Sequence, residues 1–222
     1  MSQVGDSNCI VNCASISSYS LYDLYDYDIN NPSNTTKCID IIKSINYLNN
    51  KYIEDVYSLN ELINALIGSN KFCDAILIFI NSNHSYYNEC DSPILTIGYT
   101  RTKIGMERKM IGYMLYSTYI PQNLLHIVSL VVHPNFRKQY IGTELINLGI
   151  CKSKIYLYTD GSIILHVRKT NNIAKLFYEN FGFIFIRVHK NFYSNPKCDG
   201  LEYKLMLKTT YKSYGELLYT SF

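Results

Sequence analysis

A turn between an apolar run and a helical pattern could bind an anion such as a phosphate. The apolar run spans residues 124–132, and the turn that follows it contains Arg137, Lys138 and Gly142. A loop that ends a strand and begins a helix directs several free backbone N–H groups to one point, and the helix dipole adds to the attraction. The two cations would add mobile positive charge. An ordinary connection with two solvated cations fits the same spacing, because one glycine after a strand is a weak signal.

Two histidines lie within apolar segments of the sequence. His126 is part of the run 124–132, and His166 is part of a second run, residues 163–167. An imidazole with a pKa of about 6.5 can accept a proton near neutral pH, directly or through a water. A lone histidine on an apolar strand can also be a core residue whose hydrogen bonds are satisfied, so this alternative stays open.

The apolar patterns predict the sheet and the helices that would position these residues. Strands are predicted at residues 9–11, 75–80, 94–99, 109–119, 124–132, 163–167 and 202–208. Helices are predicted from Thr36 to Leu48, from Ser58 to Leu66, after Gly142 and after Asn171. Thr36 and Asn171 are candidate N-caps, and Ser58 with Glu61 has the spacing of a capping box. Asp199 and Gly200 form a turn signal before the last strand.

Length and composition favour a single domain over residues 1–222. The formal net charge is +3 and the basic residues form no long stripe, which argues against nucleic-acid binding. The seven cysteines show no zinc-ligand spacing, so we predict no metal site. Without a signal peptide, free thiols in the cytoplasm are expected. No apolar run approaches the roughly 20 residues that span a bilayer.

The turn and the segments after it resemble a known family of enzymes. Residues 137–142, Arg-Lys-Gln-Tyr-Ile-Gly, resemble the Arg/Gln-x-x-Gly-x-Gly/Ala pyrophosphate loop of the GNAT acetyltransferases. Leu165-His166-Val167, Asn171-Asn172 and residues 177–180 are similar to protein N-alpha-acetyltransferases of the NatE and NatF types, and NatF is the closer. Residues 191–194 and 199–203 resemble the tyrosine-rich hairpin and final strand of the same group. The similarity covers residues 109 to 208.

The resemblance implies an α/β GNAT acyl-CoA N-acyltransferase fold, in which helices flank a mixed, mostly antiparallel sheet with splayed central strands. It implies acetyl transfer from acetyl-CoA to the free α-amine of protein N-termini, with Met-starting peptides as expected substrates. Transfer is expected to be direct, in a ternary complex, because no cysteine lies within the matched motifs. Acetylation of lysine side chains or small amines is one alternative, and a degenerate, non-catalytic subunit of an acetyltransferase complex is another.

Two segments depart from the family pattern in length. Residues 81–108 are longer than the family's tight hairpin, so we expect an insertion there. Residues 209–222 form a C-terminal tail that is shorter than the amphipathic helices with which NatF proteins bind membranes. Peripheral membrane attachment, on the cytosolic face of an organelle such as the Golgi, is therefore only an alternative to a cytoplasmic location.

The resemblance also implies a set of residues at the cofactor. These are Val128, Ser129, Leu130 and Val132 beside the thioester, Arg137, Lys138, Gln139, Tyr140, Ile141, Gly142 and Thr143 around the pyrophosphate, and Asn171, Tyr178 and Phe181 at the next helix. Tyr140 stands where the family has glycine. A left-handed tyrosine costs about 1–2 kcal/mol, so either the backbone avoids that conformation or cofactor affinity falls.

The remaining implied roles concern catalysis and the peptide. His166 matches the family's catalytic histidine, and Tyr178 matches a tyrosine that protonates the leaving thiolate, although it could be a packing aromatic. His126 replaces a catalytic tyrosine, and our hypothesis is that both histidines share the work of the base. Tyr193, Ile53 and Glu54 are the expected peptide-binding residues. Residues 51–55 lack the Phe-Pro and Tyr of the family's loop, which leaves the peptide preference open.

Overall fold

The computed structural model describes residues 16–20, 32–54, 57–67, 73–81, 94–97, 106–153 and 161–207. The strand predicted at residues 9–11 and the tail at residues 209–222 lie outside these ranges, as does most of the predicted insertion at 81–108. The strands are β1 (Ile16–Ser20), β2 (Asp74–Asn81), β3 (Ile94–Ile97), β4 (Met106–Tyr119), β5 (Leu124–Val132), β6 (Gly161–Arg168), β7 (Ile184–Ser194) and β8 (Lys197–Leu207). The helices are α1 (Pro32–Tyr52), α2 (Leu59–Leu66), α3 (Ile141–Ser153) and α4 (Asn172–Phe181).

The described strands form one mixed sheet with the order β1-β2-β4-β5-β6-β8-β7, and β3 pairs with β4. Every pairing is antiparallel except that of β5 with β6. Both faces are covered, because successive side chains of a strand point to opposite sides. In β2, Ile76 and Ile78 pack in the core cluster that contains α3, whereas Leu77 and Phe79 pack in the cluster that contains α1 and α2.

Local signals account for most of the helix ends. Ser58 accepts a hydrogen bond from the backbone of Glu61, and the Glu61 carboxylate accepts one from the Ser58 N–H at 2.7 Å, which confirms the capping box. Asn171 Oδ1 accepts from the Ala174 N–H at 3.0 Å, which confirms the N-cap of α4. Thr36 is not the N-cap of α1, because the helix begins at Pro32. Proline suits a first helical turn, where its fixed φ is helical and its missing N–H needs no partner.

The turn predicted at Asp199 and Gly200 is wrong, because both residues lie within β8. The β7–β8 hairpin instead turns at Asn195–Pro196, where Ser194 pairs with Lys197. A Cβ atom on Gly200 would lie 2.8 Å from Cβ of Phe192. The glycine therefore allows a close approach of the two strands rather than a turn.

The central strands separate partway along their length. The parallel pairing of β5 with β6 extends only from Leu124 opposite Ser162 to Ile127 opposite Leu165. On its other side β5 carries a bulge, because Ile127 and Ser129 pair with consecutive residues of β4 and Val128 is the extra residue. The predicted splay is thus confirmed and begins at Val128. Within the described ranges, no helix has both the length and the apolar character needed to cross a bilayer.

Candidate functional site

The gap between the splayed strands is bordered by the residues predicted to line the thioester. Beyond Ile127 the backbone of β5 no longer pairs with β6, so its polar groups on that side are left for another partner. Leu130 and Val132 pack toward the cluster of α3 and α4, whereas Val128 packs toward that of α1 and α2. Ser129 is buried, and its Oγ lies 3.4 Å from the Tyr113 hydroxyl. The side chain of Ser129 therefore belongs to the core and not to the gap.

The turn between β5 and α3 has the backbone conformation of an anion-binding loop. Lys138 and Tyr140 have φ of 60° and 62°, on either side of Gln139, and α3 begins at Ile141. Alternation between left-handed and other conformations turns successive N–H groups toward one point. Of the two alternatives stated for Tyr140, avoidance of the left-handed region is wrong. The strain of about 1–2 kcal/mol is present, and the side chain is 83% exposed.

Side chains of the same turn hold its shape. Arg137 Nε donates to the Val132 carbonyl at 3.0 Å and so ties the turn to the end of β5. Gln139 Nε2 donates to the Asn135 carbonyl at 3.2 Å, while its Oε1 is buried with no hydrogen-bond partner among the described residues. Gly142 allows Phe177 on α4 to pack closely, because a Cβ atom there would lie 2.9 Å from Cζ of Phe177 and the ring would have to shift. Thr143, in the first turn of α3, is half-buried.

Acetyl-CoA fits this arrangement. The turn directs N–H groups toward an anion at the start of α3, as a pyrophosphate requires. The unpaired edge of β5 beyond Ile127 suits the extended chain of the cofactor. We propose that the backbone of residues 138–143 would hold the pyrophosphate and that the backbone of residues 128–132 would lie beside the thioester.

The two predicted histidines lie together, and the structure adds a third. The His126 and His166 rings are 5.6 Å apart, and the His166 and His189 rings are 5.0 Å apart. Glu202 Oε2 lies 2.6 Å from His189 Nε2, 3.8 Å from His166 Nε2 and 2.8 Å from Arg187 Nε, which donates to it. His189, Glu202 and Arg187 were missed from the sequence. The sequence does show polar residues in the last two strands. Only the strand order, however, reveals that these residues face His166.

The environment keeps both predicted bases neutral. Burial, reinforced by the nearby His126, His189 and Arg187 and opposed by Glu202, lowers the pKa of His166 to about 4. Burial also lowers the pKa of His126, again opposed by Glu202. The expectation of a pKa near 6.5 for His166 is therefore wrong. The histidines can accept a proton at neutral pH but hold it weakly.

Tyr178 lies on the buried face of α4. It is 8% exposed, and its ring contacts those of Phe177 and Phe183 at centroid distances of 5.0 and 5.5 Å. Burial, with a smaller contribution from Tyr193, raises the pKa of its hydroxyl well above the usual range. The phenol thus keeps its proton at neutral pH and is available as an acid. Phe181, the other aromatic predicted here, packs against Phe183 at 5.8 Å.

An arginine that the sequence analysis missed joins the predicted peptide-binding residues. Arg168, at the end of β6, has its Nε 3.2 Å from Glu54 Oε2 and its guanidinium 4.4 Å from the centroid of the Tyr193 ring. It also donates to the carbonyls of Asn195 and Pro196 at 2.9 and 2.8 Å. Arg168 therefore links Glu54 to Tyr193, and we propose the space between these two residues as the peptide groove. Ile53 instead packs against the core cluster of α1 and α2.

The histidine cluster also has the donor types of a metal site. Ligand atoms of His166, His189 and Glu202 lie within 4.8 Å of one another. The guanidinium of Arg187, however, is already paired with the carboxylate oxygen that a metal ion would use. Its positive charge opposes a cation at that point, so we assign no metal to the cluster.

Comparisons with known proteins agree with this geometry. Residues 80–183 match the sequence profile described as the Acetyltransferase (GNAT) family. A segment of 74 residues is 38% identical to N-alpha-acetyltransferase 50 of Danio rerio, and covers 32% of this chain and 42% of that protein. The chain thus spans less than half the length of this curated relative.

Solved structures show the same fold. NAA60 of Arabidopsis thaliana bound to a bisubstrate analogue has a TM-score of 0.58 and 16% identity, over 86% of this chain and 98% of its own. Arabidopsis thaliana Naa50 bound to the bisubstrate analogue CoA-Ac-MVNAL has a TM-score of 0.50 and 19% identity, over 90% and 99%. At these identities the likeness establishes the fold alone.

The comparisons establish the fold, and they show a family likeness for the matched segment. The chain has the GNAT fold, as predicted, and over residues 80–183 it has the sequence pattern of the GNAT acetyltransferases. GNAT acetyltransferases use acetyl-CoA, and Arabidopsis thaliana NAA60 has also been solved with acetyl-CoA bound. The closer resemblance to NatF stays a prediction.

Proposed function

We propose that the protein is an acetyl-CoA-dependent N-acetyltransferase that acts on the free α-amine of protein N-termini. The observation that carries the proposal is the bridge that Arg168 makes between Glu54 and the β7–β8 hairpin, beside the histidines. An internal lysine reaches a catalytic centre only if its chain runs past on both sides. A bridged groove obstructs such a chain but accepts a chain end, which favours N-termini over lysine.

The site residues divide the chemistry among them. His166 and His126, both neutral, accept a proton from the amine, directly or through a water. Tyr178 keeps its proton until the thiolate leaves and can then donate it to the sulfur, after which a proton lost by the amine nitrogen restores the phenol. Backbone N–H groups at the end of β5 stabilise the developing negative charge on oxygen. When bound, acetyl-CoA supplies the thioester-activated acetyl group, which we propose is transferred directly in a ternary complex.

We extend the proposal to peptides that begin with Met. Support comes from the similarity to N-alpha-acetyltransferase 50 and from the Met-starting analogue bound to Arabidopsis thaliana Naa50. Tyr193 and Glu54 would contact such a peptide from opposite walls of the groove.

The test is acetyl transfer from acetyl-CoA to a panel of free N-terminal peptides, beside a peptide with a blocked N-terminus and one free lysine. We expect transfer to the free α-amines alone, with Met-starting peptides preferred. Transfer to the blocked peptide would move the assignment to lysine. If free N-terminal peptides were acetylated with no preference for Met, the proposed reaction would stand, but the proposed preference for Met-starting peptides would be wrong.

A second candidate is a non-catalytic GNAT subunit, and the observation that favours it is the strained, exposed Tyr140 over the anion-binding turn. Thermal unfolding with and without acetyl-CoA separates the two. Because a ligand that binds only the folded state raises the melting temperature, a shift without any transfer would favour the subunit.

A further inference from the structure

The proposed reaction must deliver a proton to solvent, and the structure shows a route for it. This inference rests on the proposed function. An α-amine with a pKa of about 7.7–8.0 is largely protonated at neutral pH. Acetylation of R–NH3+ forms the C–N bond and breaks the C–S bond, and the nitrogen loses two protons. One ends on the thiol, and the other must leave the site.

His166 is poorly placed to release that proton itself. The Phe192 ring stacks on its imidazole at a centroid distance of 4.5 Å and an interplanar angle of 12°. The His126 and His189 rings contact it edge-on. Its side chain is only 16% exposed. A proton accepted by His166 must therefore pass to a neighbouring group before the next turnover.

The neighbour that faces His166 is a buried carboxylate. Glu202 on β8 is the cross-strand partner of His166 on β6, and it is 8% exposed. Its Oε2 lies 3.8 Å from His166 Nε2, which is beyond hydrogen-bond length, so a small side-chain movement must precede transfer. Burial raises the pKa of Glu202, but the hydrogen bonds with His189 and Arg187 and the charge of Arg187 outweigh burial and lower it. The Glu202 carboxylate is thus ionised and able to accept a proton from His166.

The next group along leads to the surface. His189 Nε2 lies 2.6 Å from Glu202 Oε2, within hydrogen-bond distance. His189 belongs to β7, the edge strand of the sheet, and its side chain is 30% exposed. Arg187 also contacts the carboxylate, but a guanidinium does not titrate and cannot carry the proton.

We propose that Glu202 and His189 form the exit route for the amine's proton. His166 Nε2 passes the proton to Glu202 Oε2. Glu202 passes it to Nε2 of His189 in its Nδ1–H tautomer, and the imidazolium that forms releases its Nδ1 proton to water. Proton exchange between the partly exposed His189 ring and water then restores the Nδ1–H tautomer, so each group returns to its starting state and the route consumes no further reactant. His126 and Arg187, the other titratable or charged groups around His166, do not lie on this route to the surface.

The experiment compares multiple-turnover acetylation by the wild type, His189→Ala, Glu202→Gln and Arg187→Gln across a range of pH. Multiple turnovers are needed because neutral His166 can accept the first proton without the route, whereas every later turnover requires its release. Single-turnover rates, which report the chemical step, should change much less. We expect His189→Ala to lose roughly tenfold in multiple-turnover rate, less than the about 10²–10⁴-fold contribution of a direct acid–base group. Added imidazole should restore much of the loss, with peptide affinity unchanged. Glu202→Gln should be equally slow but insensitive to imidazole. This substitution interrupts the route at a buried position, which added imidazole cannot reach.

Arg187→Gln is the matched control, since it removes a neighbour of both Glu202 and His189 that cannot carry a proton. It should show no imidazole-dependent gain. A His189→Ala variant with the wild-type rate and pH profile would overturn the exit route, and so would a loss that imidazole leaves unchanged. Wild-type activity on the blocked lysine peptide alone would instead defeat the proposed N-terminal function. The exit route would then be judged on the same variants with that lysine substrate.

Discussion

The guanidinium of Arg168 lies 4.4 Å from the centroid of the Tyr193 ring and stacks the end of β6 against the β7–β8 hairpin. The same side chain reaches Glu54 after α1 and two carbonyls of the hairpin turn. One arginine therefore links the two sides of the proposed peptide groove.

Arg168→Ala should weaken peptide binding more than acetyl-CoA binding. The change removes an ion pair, two charge-assisted hydrogen bonds and a cation–π contact, and hydrogen bonds to charged groups contribute about 1.5–3 kcal/mol each at most. We expect the KM for peptide to rise roughly tenfold and the melting temperature to fall. Steady-state kinetics and thermal unfolding measure both. Lys169→Ala, at the exposed neighbouring position, is the matched control and should leave both near wild type.

Removal of both histidines should abolish most of the turnover. His126→Ala combined with His166→Ala eliminates the two proton acceptors beside the separated strands β5 and β6. The loss should be large because a general base contributes about 10²–10⁴-fold in rate. The anion-binding turn is untouched, so the acetyl-CoA-induced shift in melting temperature should persist. A double variant with full activity would refute the shared-base hypothesis. Loss of the acetyl-CoA shift as well would point to a folding defect instead.

Mild acid should destabilise the fold through His166. Because folding lowers its pKa from 6.5 to about 4, the folded protein binds fewer protons than the unfolded chain between these values. Stability contributed by the neutral imidazole is therefore complete above pH 6.5 and is lost as the pH falls toward 4. Urea unfolding of wild type and His166→Gln at about pH 7 and about pH 5 measures this. The wild type should lose more free energy of unfolding than the variant, and equal losses would contradict the assignment.

Tyr140→Gly should relieve strain in the anion-binding turn. Glycine removes a left-handed penalty of about 1–2 kcal/mol but adds about 0.5–1 kcal/mol of unfolded-state entropy, so a small net gain in stability is expected. The side chain is 83% exposed, so little packing is lost. We expect tighter acetyl-CoA binding by calorimetry, since the close approach to a pyrophosphate becomes easier. Lys138→Gly, at the other left-handed position, controls for the backbone effect without removing an aromatic ring. Weaker binding by Tyr140→Gly would show that the ring contributes a contact.

Local sequence accounts for the elements and for part of the site. Apolar runs long enough to be buried on both faces predict β2, β5 and β6, because a central strand covered by helices needs apolar side chains on both sides. The capping box at Ser58 and the N-cap at Asn171 depend on contacts between residues three apart. The sequence therefore predicts both without knowledge of the fold. His126 and His166 stand out for a similar reason, as polar side chains on strands that are otherwise apolar.

The tertiary structure alone decided which side chains share the site. His189 and Glu202 approach His166 because β8 inserts between β6 and β7, and no local pattern specifies that order. The left-handed backbone of Tyr140 was likewise beyond the sequence, since tyrosine disfavours that conformation and only the surrounding turn imposes it. The lowered pKa of His166 has the same origin. The burial of His166 and the charges near it come from residues that are distant in sequence. Only folding fixes their distances from the imidazole in space.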